Sequence, residues 1–279
     1  MTLIDPECAS LVRTFQRRTQ RRPPAEVSAA KDPMFKRAGS SFDLKNIREY
    51  GPSDDPRRID WKLMGRTDRL FVKEYYAEER DGVCIVVDLS GSMAVFGIEE
   101  TLTISGSIAW MLGALGLPTS LWGFSDRIER RLDRPRGGAS PAPVLAFFKG
   151  LESGGRTSLA AVLSLIRKSS RYRRVIVVSD FLDPAFRPSA SPFQRGFFIR
   201  LHRDFEALET GASEIVVTDP ETGLNLRTPW DRPAREAYRR REAALDGSFA
   251  QGRGTWYRKV APGSDRLGLY WSLLEALHA

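Results

Sequence analysis

Two short apolar runs that do not alternate with polar residues limit most strongly how this chain can fold. They are Val-Cys-Ile-Val-Val at residues 83–87 and Val-Ile-Val-Val at residues 175–178. Strands without alternation are typical of the interior of a parallel sheet, where helices cover both faces. The two runs therefore predict two central strands of an α/β protein.

Strand and helix patterns alternate from residue 83 onward, which favours a parallel sheet with right-handed crossovers. We expect strands at residues 83–88, 119–124, 128–132, 174–179, 197–201 and 256–260. The third of these is short and lies near an edge. In the order 3-2-1-4-5-6, the first and fourth strands are neighbours at the topological switch point. The predicted fold class is α/β, with a mainly parallel, Rossmann-type, six-stranded sheet and helices on both faces.

The chain divides by composition into three segments. We expect a basic N-terminal helix and linker, an extension, and a main domain that carries an inserted β-hairpin. Their bounds are residues 1–41, 42–80 and 81–279, with the hairpin at about 203–231.

The extension carries start and stop signals for one helix. An aspartate before Pro56 is the expected cap, Pro56 the first helical residue and Gly65 the residue just past the end. Residues 70–76 then have the composition of a strand. The pattern predicts an antiparallel addition to the main sheet.

Oxygen-bearing side chains follow both central strands. Asp88, Ser90 and Ser92 come directly after the first run, and Asp180 ends the second. Thr157 follows a Gly-Gly pair that would allow a close approach of its loop. Because ligands bind beyond the carboxyl ends of parallel strands, these five side chains are expected to converge. All are hard oxygen donors, as Mg²⁺ or Mn²⁺ prefers.

This donor set fills at most five of six octahedral positions and contains no general base. The remaining position suits water or the carboxylate of a protein partner. We therefore expect a non-enzymatic module for metal-bridged recognition, with no catalytic residue. Asp88 and the serines could instead cap the next helix.

Two further functions stay open. One is a metal-dependent phosphotransfer or phosphatase-like enzyme with Asp88 as nucleophile, although such enzymes usually place an aspartate where this chain has Ser90. The other is a basic scaffold that binds an acidic partner without metal. The chain has no Gly-x-Ser-x-Gly elbow and no Walker A motif, which disfavours a serine hydrolase and a P-loop nucleotide enzyme.

The three motifs Asp-x-Ser-x-Ser, Gly-Gly-x-Thr and Val-Ile-Val-Val-Ser-Asp resemble the metal-ion-dependent adhesion site of von Willebrand factor A domains. In that family the first Asp, both Ser, the Thr and the last Asp coordinate the ion directly or through water. The resemblance implies a von Willebrand A-like domain. The residues it assigns to the metal are Asp88, Ser90, Ser92, Thr157 and Asp180.

The segment from residue 48 to residue 80 resembles the signature of the bacterial "domain of unknown function 58" family. The residues that carry it are Arg48, Tyr50, Asp54, Asp55, Arg57, Asp60, Trp61 and Arg66. The family often accompanies MoxR-type AAA+ ATPases, which implies an adaptor or chaperone-like role. The signature also has a structural interpretation, in which its aspartates pair with Arg57, Arg58 and Arg66 and Trp61 lies in the core.

Charge and hydropathy limit the partners and the cellular location that we expect for this protein. The 43 Lys and Arg against 35 Asp and Glu give a net charge of +8, which favours acidic partners. No nucleic-acid-binding module is recognisable, so nucleic acid is not the expected partner. The longest apolar stretch, residues 108–124, is interrupted by Gly and Pro and is not a membrane span. The N-terminus lacks the layout of a secretion signal, so we expect a cytoplasmic protein.

Overall fold

The structure is a computed structural model of the 279-residue chain. It forms two compact units, Met1–Pro23 with Gly82–Ala279, and Pro24–Asp81. The described residues are 3–20, 44–51, 54, 56, 59–75, 82–133, 140–168, 172–183, 185–187, 193, 195–205, 214–251 and 255–278. The linker expected up to residue 41 lies outside them.

The larger unit alternates strands and helices, as predicted. Its helices are α1 (Cys8–Gln20), α3 (Met93–Phe96), α4 (Ile98–Ala114), α5 (Ala142–Phe148), α6 (Leu159–Lys168), α7 (Arg232–Ala250) and α8 (Arg266–His278). Its strands are β3 (Gly82–Asp88), β4 (Thr119–Phe124), β5 (Ile128–Leu132), β6 (Tyr172–Ser179), β7 (Arg195–Leu201), β8 (Glu214–Thr218), β9 (Asn225–Pro229) and β10 (Thr255–Val260). The smaller unit contains β1 (Leu44–Glu49), α2 (Trp61–Thr67) and β2 (Phe71–Tyr75).

The central sheet has six strands in the order β5-β4-β3-β6-β7-β10. All neighbours are parallel except β4 and β5, which are antiparallel. Counted within this sheet, the order is 3-2-1-4-5-6, so the predicted order is confirmed. The fold class is likewise confirmed, and the arrangement is consistent with a von Willebrand A-type fold. β3 and β6 lie side by side with Val87 opposite Val178.

Hydrophobic side chains cover the sheet on both faces. Successive strand residues point to opposite faces, so Val83, Ile85 and Val87 join one core while Cys84 and Val86 join the other. Helices α1, α3, α4, α5 and α8 contribute to the first core, and α6 and α7 to the second. This burial on both faces is why β3 has no polar alternation.

The N-terminal helix α1 packs on the larger unit. Phe15 lies edge-on against Trp271 of α8, with ring centroids 5.7 Å apart. Asp5, just before the helix, accepts hydrogen bonds from Arg266 and Tyr270. Cys8 and Cys84 are both buried free thiols.

The smaller unit differs from the sequence expectation in two respects. β1 and β2 form an antiparallel sheet of their own, so the predicted addition to the main sheet is wrong. Helix α2 begins after Asp60, whose Oδ1 accepts hydrogen bonds from the amides of Lys62 and Leu63 at 3.1 and 3.2 Å. The predicted helix start at Pro56 is therefore wrong as well, and Gly65 lies inside the helix and not just past its end.

A two-stranded hairpin, β8 and β9, forms between β7 and α7, as predicted. Its turn includes Gly223 in the left-handed region, with φ of 71°. Both strands are largely exposed. Across the described part of the chain, no helix has the length and apolar character needed to span a membrane.

Candidate functional site

The polar side chains gather beyond the carboxyl ends of β3 and β6. Asp88 ends β3 on the same face as Cys84 and Val86, because alternate residues share a face. Ser179 ends the neighbouring strand β6 on that face and donates to Asp88 Oδ2 at 2.6 Å. Asp88 is completely buried.

The loop after β3 turns back on the Asp88 carboxylate. The Ser90 amide donates to Asp88 Oδ1 at 2.9 Å. The hydroxyl oxygens of Ser90 and Ser92 lie 3.1 Å apart, and both residues are buried. Ser92 precedes α3 but makes no side-chain capping hydrogen bond. The geometry thus disfavours the interpretation of these residues as a helix cap.

The Gly-Gly loop brings Thr157 to the same place. Two backbone hydrogen bonds, Gly154 N to Leu89 O at 2.8 Å and Gly91 N to Gly155 O at 2.9 Å, hold the two loops together. Gly155 has a φ of 73°, a conformation that glycine adopts without strain. The Thr157 hydroxyl lies 3.4 Å from Asp88 Oδ2 as a donor.

Asp180 completes the group at the end of β6. It is 2 % exposed, and its Oδ1 accepts from the Leu182 amide at 3.0 Å. Its Oδ2 is buried without a hydrogen-bond partner among the described residues. The next residue, Phe181, has a φ of 60°, which is rare for a bulky side chain and costs backbone strain. Phe181 is nevertheless fixed there by packing on Phe186, Phe198 and Phe249.

The two buried carboxylates destabilise each other's charge. Burial and, next, the charge of Asp180 raise the pKa of Asp88 to about 6, although hydrogen bonds from Ser179 and Ser90 oppose the change. Burial also raises the pKa of Asp180, and the Ser92 hydroxyl offsets this only in part. A bound cation would favour both charged forms.

The tip of the β8–β9 hairpin covers this group. Glu221, half-buried, accepts a hydrogen bond from the Thr157 amide at Oε1, at 3.2 Å. A side chain on Gly91 would clash with the Pro220 carbonyl, so the tip rests directly on the loop after β3. Burial raises the pKa of Glu221, and the charge of Asp180 raises it further.

The donor set fits a hard divalent cation only if hydroxyl oxygens take part. In the described residues, no three side chains of His, Cys, Asp and Glu form a metal-binding cluster. Two carboxylates and three hydroxyls do converge, and Asp180 Oδ2 is a buried acceptor in need of a partner. These oxygen donors match the ligand preference of Mg²⁺ and Mn²⁺. The assignment of the five residues as metal ligands stays a prediction.

Sequence reasoning missed two members of the site. Ser179 lies in a quoted motif, and the pairing of β3 with β6 would have placed it beside Asp88. Glu221 gave no such signal, because its contact with Thr157 joins residues 64 positions apart. Its position depends on how the hairpin folds back on the sheet edge.

The signature residues of the smaller unit have mainly structural contacts. Arg48 binds Asp54 through both guanidinium nitrogens, at 2.7 and 2.6 Å, and the Gly51 amide donates to Asp54 at 2.8 Å. The Tyr50 hydroxyl donates to the Asp54 carbonyl at 3.2 Å. Arg48 is thus a partner of Asp54 that the sequence did not predict, and the expected pairing of Asp54 with Arg57 or Arg58 involves residues outside the described part of the chain.

The remaining signature residues complete this picture. Trp61 is 63 % exposed, so its expected place in the core is wrong. Arg66 is exposed in the last turn of α2, where its positive charge interacts favourably with the helix dipole. Asp55, Arg57 and Arg58 lie outside the described residues.

The fold and the site define a doubly wound α/β protein with an oxygen-rich group at its topological switch point. The chain belongs to the family described as "Protein of unknown function DUF58", whose model matches residues 46–246. It is similar to the uncharacterized proteins Mb1516 of Mycobacterium bovis and Rv1480 of Mycobacterium tuberculosis. Each is 24 % identical over 264 residues, which cover 88 % of this chain and 81 % of the relative.

Proposed function

We propose that this chain is a non-enzymatic protein-interaction module that depends on a divalent metal ion, Mg²⁺ or Mn²⁺. In this proposal Asp88, Ser90, Ser92, Thr157 and Asp180 form a von Willebrand A-like, metal-ion-dependent adhesion site. The partner is a MoxR-type AAA+ ATPase, for which the chain acts as an adaptor or chaperone-like subunit. The observation that carries the proposal is the buried Asp88 and Asp180 pair, in which Asp180 Oδ2 has no hydrogen-bond partner among the described residues.

Electrostatics supports the metal. Two carboxylates that are both buried lose hydration and repel one another, as the raised pKa values of Asp88 and Asp180 indicate. A divalent ion among them would replace the lost hydration with direct attraction. The hydroxyls of Ser90, Ser92 and Thr157 add neutral donors without adding charge. When bound, the ion would supply a positively charged point that recognises a carboxylate.

The surroundings of Asp88 support recognition over catalysis. Oδ1 accepts from the Ser90 amide, while Oδ2 accepts from the Ser179 and Thr157 hydroxyls, so nucleophilic attack by either oxygen would break a hydrogen bond, whereas a metal ion can be held through water. His202 pairs with Glu242 at 3.1 Å, and His278 packs against Phe15. Neither histidine contact provides a general base for Asp88 or the serines.

The first test measures metal binding through thermal stability. Titration with Mg²⁺ or Mn²⁺ should raise the melting temperature of the wild type, and Asp88→Ala or Ser92→Ala should abolish the rise. Ser272→Ala is the matched control, because its hydroxyl bonds only within α8, to the Leu269 carbonyl. Absence of any rise at millimolar metal would refute the site.

The second test addresses the partner. Wild type and Asp88→Ala are used to capture the MoxR-type ATPase, each in Mg²⁺ and in chelator. Capture only by the wild type in Mg²⁺ is the expected result. Capture that persists in chelator but falls with salt would favour the metal-independent scaffold. Metal-dependent phosphoester turnover lost in Asp88→Asn would instead establish an enzyme.

A further inference from the structure

The hairpin tip brings a third acidic side chain to a group that already contains two buried carboxylates. Glu221 Oε1 is fixed by the Thr157 amide at 3.2 Å. The adjacent Pro220 carbonyl lies where only a glycine at position 91 leaves room. These two contacts hold the Glu221 carboxylate beside the group that contains Asp88 and Asp180. Without a cation, this approach is electrostatically unfavourable.

The turn that carries Glu221 is organised by its own hydrogen bonds. Asp219 accepts from the Glu221 amide at 2.9 Å and from the Thr222 hydroxyl at 2.5 Å. The Gly223 amide donates to the Asp219 carbonyl at 2.8 Å. These bonds shape the turn before it meets the rest of the protein. Glu221 is thus presented at the site in a defined orientation.

The rest of the hairpin is weakly anchored. Val216, Val217, Leu224 and Leu226 are 47–70 % exposed. An isolated two-stranded ribbon has only marginal stability in water. Moving the hairpin tip away from the site should therefore cost less free energy than displacing an element of the core.

We propose that Glu221 is the carboxylate that this chain itself supplies to the coordination position left by the other five residues, directly or through water. The inference rests on the proposed metal site. A partner then binds by replacing Glu221 with an aspartate or glutamate of its own, and the hairpin tip moves away from Gly91. The partner group that fits is an acidic side chain on a turn, because a turn is how this chain presents Glu221 to the site.

The first experiment measures Mn²⁺ affinity by electron paramagnetic resonance. Glu221→Ala should bind Mn²⁺ about tenfold more weakly than the wild type, in the range seen when groups that support a metal are removed. Glu214→Ala is the matched control, since Glu214 is an exposed glutamate at the far end of the same hairpin. Equal affinity in the wild type and Glu221→Ala, or tighter binding by Glu221→Ala, would overturn the inference.

The second experiment asks whether Glu221 blocks an external carboxylate. Protein-bound Mn²⁺ broadens the carbon resonance of ¹³C-labelled acetate only when acetate reaches the ion. Glu221→Ala should broaden it strongly, and the wild type and Glu214→Ala only weakly. Equal broadening by all three proteins would overturn the displacement step.

The outcomes separate this inference from the proposed function. If the wild type binds Mn²⁺, Asp88→Ala does not, and Glu221→Ala equals the wild type, then only the role of Glu221 is refuted. If the wild type binds no Mn²⁺, the metal site and the role of Glu221 are refuted together. Circular dichroism of each variant establishes that its fold is retained.

Discussion

Removal of the Asp88 charge should stabilise the metal-free protein and abolish its response to metal. The pKa of Asp88 is raised from 3.8 to about 6, chiefly by burial. Because the pKa is higher in the folded state, the ionised carboxylate lowers the free energy of unfolding by about 3 kcal/mol at neutral pH. Asp88→Asn removes this effect and loses hydrogen bonding worth about 1 kcal/mol. We expect a net gain of about 2 kcal/mol in chelator.

The stability gain of Asp88→Asn in chelator should increase with pH. A protonated Asp88 carries no charge, so the contribution of Asp88 to wild-type stability is most favourable below pH 3.8 and is lost as the pH rises to about 6. The advantage of Asp88→Asn should therefore be complete above pH 6 and become a deficit of about 1 kcal/mol below pH 3.8, where only the lost hydrogen bonding remains. Thermal unfolding in chelator should show it as a rise in melting temperature of about 4–8 °C near neutral pH.

Metal should reverse the order of the two proteins. At a Mg²⁺ concentration of about 100 times its dissociation constant, the wild type gains about 2.7 kcal/mol and Asp88→Asn gains little. Asp246→Asn is a control variant for which we expect the opposite change in the free energy of unfolding. Although burial acts to raise it, hydrogen bonds from Tyr257, Lys259 and Arg200 lower the pKa of Asp246 overall, so its neutralisation should destabilise. An Asp88→Asn protein less stable than the wild type in chelator at neutral pH would refute this reasoning.

Three further predictions follow from particular contacts. Gly91→Ala should displace the hairpin tip and speed hydrogen exchange of residues 219–223 about tenfold, with the core amides unchanged. Arg200→Met should lower the free energy of unfolding by about 1.5–3 kcal/mol, because it removes charged hydrogen bonds from the half-buried Glu242 and Asp246, which keep their contacts with Lys259. Arg232→Ala in an exposed pair should change it by less than about 1 kcal/mol; urea unfolding measures both. In the smaller unit, Asp60→Ala should lower stability by about 1 kcal/mol through loss of the α2 cap, and Trp61→Ala should leave it within about 0.5 kcal/mol, as judged by thermal unfolding.

The central sheet was predictable because its strands carry local signals. The apolar runs in β3 and β6 have no other low-energy environment than a sheet covered on both faces. Chain connectivity then leaves few strand orders, and the observed order places Asp88 beside Asp180. The convergence of the candidate site therefore follows from pattern and topology together.

The errors occurred where two local interpretations competed. The Asp54-Asp55 pair and Asp60 both precede residues that suit a helix, and the sequence alone does not show which aspartate is used as a cap. Asp54 is engaged instead by Arg48 of β1, a strand without a clear apolar alternation. Trp61 was misjudged for a related reason, since its size suggests burial while its position at the start of α2 leaves it exposed.

Two elements after β7 contact the candidate site: the β8–β9 hairpin makes a weak contact and helix α7 a strong one. The hairpin is therefore the element expected to move. The hairpin reaches the site through its exposed tip, at Glu221 and Pro220. Helix α7, which follows directly, is bound to the sheet through Arg200, whose guanidinium contacts Glu242 at 2.6 Å and Asp246 at 2.7 Å. The same guanidinium donates to the Asp180 carbonyl at 3.4 Å. Arg200 is buried, and each charged hydrogen bond to its half-buried partners is worth about 1.5–3 kcal/mol, so separating them costs more than lifting an exposed turn. If a partner displaces the tip as proposed, we therefore expect α7 and Asp180 to stay in place, so that the proposed metal ligands at Asp88 and Asp180 keep their positions.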